Sequence, residues 1–343
     1  MELMKAWVID RISDLSTENR PLRRVELSVP EPGEEQLLIK VSACGICHTE
    51  IDEIEGRTPP ASFPVVPGHQ VIGHVMESNA GGKIRVGDRV GVAWIWSACG
   101  KCEYCLSGKE NLCEEFLATG RDVNGGYAEF MVVPEKYAYP VPDLFTDVEA
   151  APLLCAGAIG YRSLALCDLH NGQTIGLTGF GASAHLVLKL VRYMYPGSDV
   201  FVFARSPAEC EFALNLGAAW AGDTTERPPS LLNCIIDTTP VWKPVILGLE
   251  HLKPGGRLVI NAIRKESADI GHLAEIDYTR HLWMEKEIKS VANVTSNDVR
   301  EFIRLAAEVP FKPEVETYNF KDANTALTEI KQRKIRGAKV LLI

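Results

Sequence analysis

Four cysteines lie close together in one short segment of the sequence. They occur in CGKCEYCLSGKENLC, with the spacing C-x2-C-x2-C-x7-C, and are Cys99, Cys102, Cys105 and Cys113. Four thiolates at such short intervals can close a tetrahedron around one zinc ion, which is the usual form of a structural zinc site. The spacing therefore predicts that this segment folds around a structural zinc.

Three other interpretations of this cluster fit the sequence less well. Coincidental loop cysteines are disfavoured by the compact spacing. Iron–sulfur clusters also use thiolates, but their common sequence run has a fourth cysteine after three residues followed by proline, and this segment has neither. A zinc ribbon that binds nucleic acid would need basic neighbours, whereas glutamates surround these cysteines.

Three further potential ligands are widely separated in the sequence. Cys47 lies in CGICHTE, His69 in VPGHQVIG and Cys155 in APLLCAGAIG. Two thiolates and one imidazole form a known ligand set of catalytic zinc, which leaves a fourth position for water or substrate. Spacing alone cannot show that the three meet, and cysteine is also among the most buried residue types. Metal binding and simple burial both stay open on this evidence.

A glycine-rich turn, GFGASA, follows a predicted strand and opens a predicted helix. Its Gly179, Gly181 and Ala184 match the dinucleotide fingerprint, whose last position accepts alanine. The glycines would let the backbone approach a pyrophosphate, and the helix N-terminus favours negative charge. The alternative is a plain glycine-rich turn, but this context predicts a dinucleotide-binding site.

These residues must be positioned by two different kinds of structure. From residue 1 to about 145, short apolar runs alternate with Gly, Pro and Asn clusters, which predicts a β-rich unit. From about 150 to 290, strand and helix patterns alternate, which predicts a doubly wound parallel sheet. The helix after the glycine turn is predicted to have an apolar stripe at helical spacing, formed by Ala184, Val187, Leu188 and Val191. A later helix is expected to stop at PGG, before a strand that starts at Arg257. The last fifty residues mix helix and strand and could return to the first unit. The predicted fold class is therefore α/β plus β-rich.

Composition narrows the function further. The chain has 343 residues, which predicts about two domains, and its 46% hydrophobic content fits an ordinary globular protein. A net charge of −9 disfavours nucleic-acid binding. We expect no membrane span, because no apolar run approaches about 18 residues. The start lacks a secretory signal pattern, so a cytoplasmic location is expected, where cysteines serve as ligands or core residues more often than as disulfides.

The order of these motifs resembles the zinc-dependent alcohol dehydrogenases of the medium-chain dehydrogenase/reductase superfamily, over essentially the whole chain. The resemblance implies a GroES-like catalytic domain from residues 1–149 and 290–343. It also implies a Rossmann nicotinamide-cofactor domain at 150–289, with the active site in the cleft between the domains. A small-molecule alcohol or aldehyde would be the substrate, and a homodimer or homotetramer the assembly.

Carried over residue by residue, the resemblance assigns two zinc ions per chain. Cys47, His69 and Cys155 would bind the catalytic zinc, and the four clustered cysteines the structural zinc. Thr49 would contact the substrate oxygen, and His48 would lie near the cofactor pyrophosphate. The remaining cysteines are expected to be packing residues, because free cysteine behaves as a small hydrophobe; they are Cys44, Cys167, Cys210 and Cys234.

The substrate pocket is predicted from aromatic residues. The family has pocket residues just before the four-cysteine segment, where Trp94, Ile95 and Trp96 stand, and Trp283 would approach from the Rossmann domain. A bulky aromatic wall would suit primary alcohols and aldehydes. Core packing is the alternative, because aromatics dominate cores as well as pockets.

Three positions depart from the family pattern. Glu50 stands where the family usually has Asp, and is expected to orient a ligand from the second shell with shifted geometry. Gln70 stands where the family usually has Glu, so any step in which this residue binds zinc is in doubt. Asp52 replaces a histidine that ends a proton relay in many members. Because the ordinary pKa of Asp is far below that of His, we expect a different pH–rate profile.

The end of the second Rossmann strand bears on the cofactor. NAD-specific proteins usually place an acid there to bind the ribose 2′-hydroxyl. Here Ala204 takes that place, followed by Arg205 and Ser206, and Arg205 could hold a 2′-phosphate through charge-assisted hydrogen bonds. NADP(H) is therefore favoured, with NAD(H) possible if Arg205 only stacks on adenine or faces solvent.

Rival functions remain at this point. Zinc-free quinone or enoyl reductases share the fold but lack these ligands. An NAD(H)-dependent alcohol or polyol dehydrogenase would fit the zinc sites, although polyol dehydrogenases often differ at the third ligand, here Cys155. A non-enzymatic zinc-ribbon binding protein would explain the cysteine cluster but not the glycine turn.

Overall fold

The computed structural model describes residues 2–309, 312–332 and 337–343. The chain divides into two compact units. The first unit comprises Met1–Ala158 and Val294–Ile343, and the second unit comprises Ile159–Asn293. The first boundary, after Ala158, lies inside the helix Ala156–Cys167. It comes later in the chain than the boundary predicted between residues 149 and 150.

The strands and helices are as follows in chain order. The strands are β1 (Leu3–Val8), β2 (Arg23–Ser28), β3 (Gln36–Ile46), β4 (Val71–Ser78), β5 (Arg89–Val92), β6 (Ile95–Ser97), β7 (Leu117–Ala118), β8 (Phe130–Pro134), β9 (Ala138–Pro140), β10 (Thr174–Thr178), β11 (Asp199–Phe203), β12 (Trp220–Gly222), β13 (Leu232–Asp237), β14 (Leu252–Ile260), β15 (Glu287–Ser290), β16 (Val315–Asn319) and β17 (Ala338–Leu342). The α-helices are α1 (His48–Ile54), α2 (Glu103–Leu106), α3 (Asp147–Ala150), α4 (Ala156–Cys167), α5 (Ala182–Met194), α6 (Pro207–Asn215), α7 (Lys243–His251), α8 (Ser296–Glu308) and α9 (Ala323–Lys331). Short 3-10 turns cover Glu110–Leu112, Glu135–Tyr137, Ala151–Leu154, Ile270–Glu275 and Phe320–Asp322, and a π-helical turn covers Tyr278–Leu282.

The first unit is built on a mainly antiparallel sheet in the order β16-β17-β3-β4-β5-β9, with β8 also paired to β3. β17 pairs antiparallel with β3, so that Lys339 lies opposite Ile46 and Leu342 opposite Ala43. The C-terminal segment therefore does return to the first unit. This pairing fixes the end of β3, from which the chain runs directly to Cys47.

The second unit holds a six-stranded parallel sheet in the order β12-β11-β10-β13-β14-β15. Every residue of β10 is buried, as expected for a parallel strand that is covered on both faces. The apolar stripe predicted for α5 is also buried; its members are Ala184, Val187, Leu188 and Val191. The predicted α/β plus β-rich fold class, with its doubly wound parallel sheet, is confirmed.

Some local expectations differ from the structure. The sequence PGG was expected to separate α7 from a strand that starts at Arg257, but β14 begins directly after α7 at Leu252. Gly255 allows this course because its φ is +70°, and the pairing with β13 shifts register between Leu232 and Cys234. β12 and β15 had no clear sequence pattern and were not predicted.

One helical run in the described residues is long and apolar enough to cross a membrane. This run, Asp147–Cys167, meets the length and hydropathy expected of a membrane-spanning helix, but 61% of its most apolar window is buried inside the protein. Such burial is typical of a core helix of a globular domain.

Candidate active site and metal centres

Cys47, His69 and Cys155 come together in the first unit. Their possible ligand atoms all lie within 4.8 Å of one another, and His69 Nε2 is 3.2 Å from Cys155 Sγ. Cys47 is the N-cap of α1, His69 precedes β4, and Cys155 follows the 3-10 turn Ala151–Leu154. Three residues from distant parts of the chain thus offer two thiols and one imidazole to a single point.

Glu50 connects two members of this cluster. Its Oε2 accepts a hydrogen bond from the backbone N–H of Cys47 at 2.8 Å, which caps the start of α1. Its Oε1 lies 2.7 Å from His69 Nδ1. Because the imidazole is engaged at Nδ1, Nε2 is left to face the two sulfur atoms.

The pKa values of these three buried groups are shifted in different directions. Hydrogen bonds from Cys155 and His69 hold the pKa of Cys47 well below its usual range. Burial opposes a charge on His69, yet the carboxylate of Glu50 raises the pKa of that imidazole. The hydrogen bond with Cys47 and burial raise the pKa of Cys155. The cluster therefore carries thiolate character at Cys47, as a metal ligand requires.

The donor set and spacing fit zinc. Tetrahedral zinc with ordinary bond lengths places sulfur and nitrogen ligands about 3.5 Å apart. The separation of 3.2 Å between His69 Nε2 and Cys155 Sγ is close to that value. With three protein ligands, such a site keeps one coordination position open.

The four clustered cysteines also fit zinc. The possible ligand atoms of Cys99, Cys102, Cys105 and Cys113 lie within 4.8 Å of one another. Cys99 Sγ is 3.8 Å from Cys105 Sγ, and two tetrahedral zinc–sulfur bonds predict about 3.8 Å. The backbone N–H groups of Lys101 and Cys102 hold the pKa of the Cys99 thiol down to about 6. Four protein ligands would close such a site, which is the structural type.

The residues that follow Cys47 occupy different environments. Thr49 is buried, and its Oγ1 lies 3.6 Å from Cys47 Sγ, so this hydroxyl belongs to the site. His48 is exposed at the first position of α1. Asp52 is buried, and its Oδ1 is 2.6 Å from the guanidinium of Arg57.

Gln70 is buried against the end of β3. The N–H of Gly45 donates to the backbone carbonyl of Gln70 at 2.9 Å. A Cβ at residue 45 would lie 2.7 Å from Gln70 Oε1, so only glycine leaves room for this side chain. The contact fixes Gln70, and with it the position of the adjacent His69.

The predicted pocket residues lie in different environments within their own units. Trp94 contacts the candidate catalytic cluster, because its ring centroid lies 6.4 Å from that of His69, and Arg121 lies 5.1 Å from the Trp94 ring. Ile95 is fully buried in the hydrophobic core, and Trp96 packs half-buried against that core. Trp283, in the second unit, is 53% exposed and packs edge-on against Tyr278.

Sequence reasoning missed a buried carboxyl group near this cluster. Glu53 of α1 is fully buried, and within the described residues neither of its carboxyl oxygens has a hydrogen-bond partner. Burial, together with the charge of Glu50, raises the pKa of Glu53 well above its usual range. The available signal was helical spacing, because Glu53 follows Glu50 by three residues and so lies on the same face of α1.

The glycine turn of the second unit has the shape that a pyrophosphate needs. Gly179 has a φ of +77°, which favours glycine, and its N–H donates to Phe203 O at 2.8 Å. Gly181 is the N-cap of α5, and a Cβ there would meet no described atom within 4 Å. Ala184 is fully buried, which explains the need for a small residue. The residues present fit a dinucleotide, and the glycine turn and the start of α5 would hold its phosphates.

The segment after β11 has a basic residue, Arg205, and an acidic residue, Glu209, in the first turn of α6. Ala204 is buried and Arg205 is exposed. Ser206 caps α6: its hydroxyl accepts from Glu209 N at 3.2 Å, and Glu209 Oε2 accepts from Ser206 N at 3.2 Å. The hydroxyl oxygen of Ser206 therefore already accepts one hydrogen bond within the chain.

Comparison with known proteins agrees with these two sites and the fold. Residues 33–143 match the alcohol dehydrogenase GroES-like domain family. The chain is 40% identical over 346 residues to the Mycobacterium tuberculosis (strain CDC 1551 / Oshkosh) protein named "Probable alcohol dehydrogenase AdhA", covering 99% of this chain and 97% of that protein. It is 32% identical to an alcohol dehydrogenase of Geobacillus stearothermophilus, covering 98% of each chain.

The fold is also shared with solved structures. A cinnamyl alcohol dehydrogenase from Sorghum bicolor superposes with a TM-score of 0.83 at 27% identity, covering 99% of this chain and 97% of that one. Full-length sequence identity and a shared fold thus agree with the cysteine and histidine clusters. The chain belongs to the zinc-containing medium-chain alcohol dehydrogenase family of oxidoreductases.

Proposed function

We propose that this protein interconverts primary alcohols and aldehydes with NADP(H). The observation that carries the proposal is the meeting of Cys47, His69 and Cys155, because this ligand set leaves a zinc position open to substrate. The four-cysteine cluster would hold a second, structural zinc. The bound substrate is thus expected at the open position of the first cluster.

The chain's own residues would orient the reacting groups. Zinc held by the three ligands would polarise the substrate oxygen as a Lewis acid. A nicotinamide cofactor would take up or supply the hydride. Thr49 Oγ1 is beside the cluster, where its hydroxyl can hydrogen-bond the substrate oxygen. Glu50 would keep the His69 ring in one orientation while the substrate changes charge.

The site favours an unbranched reacting carbon. Trp94 stands beside His69, with their ring centroids 6.4 Å apart, and would narrow the space available to a substrate at the cluster. A planar aldehyde or primary alcohol fits beside such a ring better than a bulky secondary alcohol. The similarity to a cinnamyl alcohol dehydrogenase supports including aromatic aldehydes in the substrate panel.

A proton must also leave when an alcohol is oxidised. We propose that the buried carboxylate of Asp52 accepts it, in the place of the relay histidine of many family members, with His48 exposed on the same helix. Arg57 holds the Asp52 carboxylate in one position. An Asp52→Ala variant should change the shape of the pH–rate profile, and an unchanged profile would exclude this role.

The preference for NADP(H) rests on Arg205. Its exposed guanidinium follows β11, where no acid is present to bind a ribose 2′-hydroxyl. Glu209 is the observation that favours NAD(H) instead, because its carboxylate lies in the first turn of α6. The Arg205→Ala variant should raise the KM for NADPH about tenfold and leave that for NADH unchanged. Equal efficiency of the wild type with both cofactors would contradict the preference.

One set of measurements tests the whole proposal. Primary and secondary alcohols and aldehydes would be assayed with NADPH and NADH, before and after treatment with a zinc chelator. We expect turnover of primary substrates, loss of activity on chelation, and two zinc ions per chain by metal analysis. One zinc per chain without dehydrogenase activity would support the zinc-ribbon alternative.

We further propose that the chain forms a homodimer or homotetramer in the cytoplasm. β15 lies at the edge of the parallel sheet, all four of its residues are exposed, and Trp283 and Met284 are exposed just before it. An edge strand with exposed apolar neighbours is a ready surface for a second copy. Light scattering after gel filtration should give a mass of two or four chains, and charged residues in place of Trp283 and Ile288 should reduce it.

A further inference from the structure

A buried ion pair in the second unit is used neither by the zinc sites nor by the glycine turn. Lys265 Nζ contacts Asp237 Oδ2, and both side chains are almost fully inaccessible to solvent. Lys265 Nζ also donates to the carbonyl oxygens of Thr239 at 2.8 Å and Val241 at 2.9 Å. An ammonium group has three donors, and three acceptors surround it here. Lys265 therefore has no donor left for a ligand. It can affect a ligand only through the positions of Asp237 and of the carbonyl groups that it binds.

The carboxylate of Asp237 also has hydrogen-bond partners on both of its oxygens. It ends β13, and its Oδ1 accepts hydrogen bonds from Thr178 Oγ1 at 2.5 Å and from Thr239 Oγ1 at 2.8 Å. Thr178 is the last residue of β10, directly before the glycine turn. The ion pair thus joins the ends of two neighbouring strands to the loop that follows β13.

That loop lies against the first glycine of the cofactor turn. Thr238 donates to Thr178 O from its backbone nitrogen at 3.0 Å and from its hydroxyl at 2.9 Å. A Cβ at Gly179 would lie 2.8 Å from Thr238 Oγ1, so loop and turn are in close contact. Both are at the carboxyl ends of parallel strands, which is where open α/β sheets bind ligands.

A buried ion pair is weak evidence for stability, because well-packed apolar residues often serve as well. What the ion pair provides here is a fixed arrangement of the groups that Lys265 and Asp237 bind. We propose that Lys265 is a positioning residue for the nicotinamide dinucleotide: it draws Thr239 and Val241 towards Asp237 and so fixes the loop 238–241 against Gly179. The inference rests on the proposed dinucleotide binding, but not on the choice between NADP(H) and NAD(H).

Equilibrium binding tests this inference without turnover. NADPH and NADH would each be titrated into the full-length, zinc-loaded protein while energy transfer from tryptophan to bound cofactor is followed. Lys265→Met should raise the Kd of both cofactors at least tenfold, with the ratio of the two unchanged. Arg205→Ala, by contrast, should raise only the Kd of NADPH.

The control is a lysine at the amino ends of the strands of the same sheet, away from the glycine turn. Lys253 Nζ donates to Asn233 Oδ1 at 3.0 Å, near the start of β14, and Lys253→Met should leave both Kd values unchanged. Thr239→Val gives a milder test should Lys265→Met fail to fold, because it keeps the ion pair and removes only the hydroxyl bonded to Asp237. It should raise both Kd values about threefold.

The outcomes separate the alternatives. A folded Lys265→Met or Thr239→Val protein with a lowered Tm but unchanged Kd values would show a purely structural role and overturn the inference. A wild type that binds NADPH and NADH equally would overturn only the proposed cofactor preference. A wild type that binds neither would overturn the proposed function together with this inference.

Discussion

Glu50 Oε1 lies 2.7 Å from His69 Nδ1, and both side chains are buried. The other carboxylate oxygen of Glu50 accepts the N–H of Cys47. One side chain therefore positions two of the three candidate catalytic ligands. The family usually has the shorter Asp here, and the extra methylene of Glu50 still reaches the imidazole.

Replacing Glu50 should weaken the catalytic zinc site. We expect Glu50→Ala to lower zinc affinity about 10–100-fold, because loss of a carboxylate bonded to a ligating histidine typically has this effect. Competition with a chromophoric chelator would measure the affinity. Glu50→Asp should retain most of it, and Glu55→Ala, on the same segment but paired with Arg57 and Lys331, should change nothing. Unchanged affinity in Glu50→Ala would refute the positioning role.

The four-cysteine cluster should be separable from the catalytic site. We expect Cys105→Ser to reduce the zinc content from two to one per chain and to lower the Tm, because a structural site contributes its binding energy to folding. Metal analysis and thermal unfolding would measure both effects. The half-buried Cys210, which belongs to neither cluster, is the control, and Cys210→Ser should retain two zinc ions. Two zinc ions in Cys105→Ser would contradict the assignment of this cluster.

Gly157 should be intolerant of even one added methyl group. A Cβ at this position would lie 2.0 Å from Cε1 of Phe302, and Gly157 is two residues after Cys155. We expect Gly157→Ala to lower the stability by about 1–3 kcal/mol through overpacking and to weaken the catalytic zinc site. A second change, Phe302→Leu, should restore part of the stability in the double variant. Additive destabilisation by the two changes would argue against this contact as the cause.

His185 should make the protein less stable in mild acid. It is fully buried in α5, and burial lowers its pKa to about 4 from an ordinary 6.5. Above pH 6.5 the group is neutral in both the folded and the unfolded state and has no effect. As the pH falls from 6.5 towards 4, only the unfolded state takes up the proton, so stability is lost, by about 3 kcal/mol in total. Below pH 4 the loss levels off.

The measurement is the free energy of unfolding at several pH values. His185→Gln should show a shallower decrease between pH 6.5 and 4 than the wild type. His74→Gln, at an exposed position of β4, should follow the wild type. Other groups that titrate in this range are present in all three proteins, so the difference between the curves reports on residue 185. Parallel curves for wild type and His185→Gln would exclude the effect.

Local patterns were sufficient for much of the fold. The buried stripe of α5 and the compact spacing of the four cysteines are short-range features, and the structure has both as expected. β15 was missed because its four residues are all exposed and show no alternation. The pattern PGG usually ends an element and so predicts a shorter β14, whereas a register shift lets the strand continue here.

Contacts between distant residues were the part that sequence reasoning lacked. Motif order implied that Cys47, His69 and Cys155 meet, but only the folded chain brings their ligand atoms within 4.8 Å. The ion pair of Asp237 with Lys265 had no sequence signal, because an acid at the end of a strand and a lysine in a separate loop match no motif. The pocket role of Trp283 stays a prediction: the residue lies exposed beside Tyr278 in the second unit.

The pairing of β17 with β3 also bears on how the protein is made. The ribosome releases β3 and Cys47 early, but β17 follows only after the whole second unit has been synthesised. The second unit is continuous in the chain and can fold as soon as it emerges, since domains generally fold as units. The sheet next to Cys47 must wait for a partner from the far end of the sequence, a long-range closure that is slow to form. We therefore expect the candidate catalytic zinc site, whose Cys47 directly follows β3, to be completed late in the synthesis of the protein.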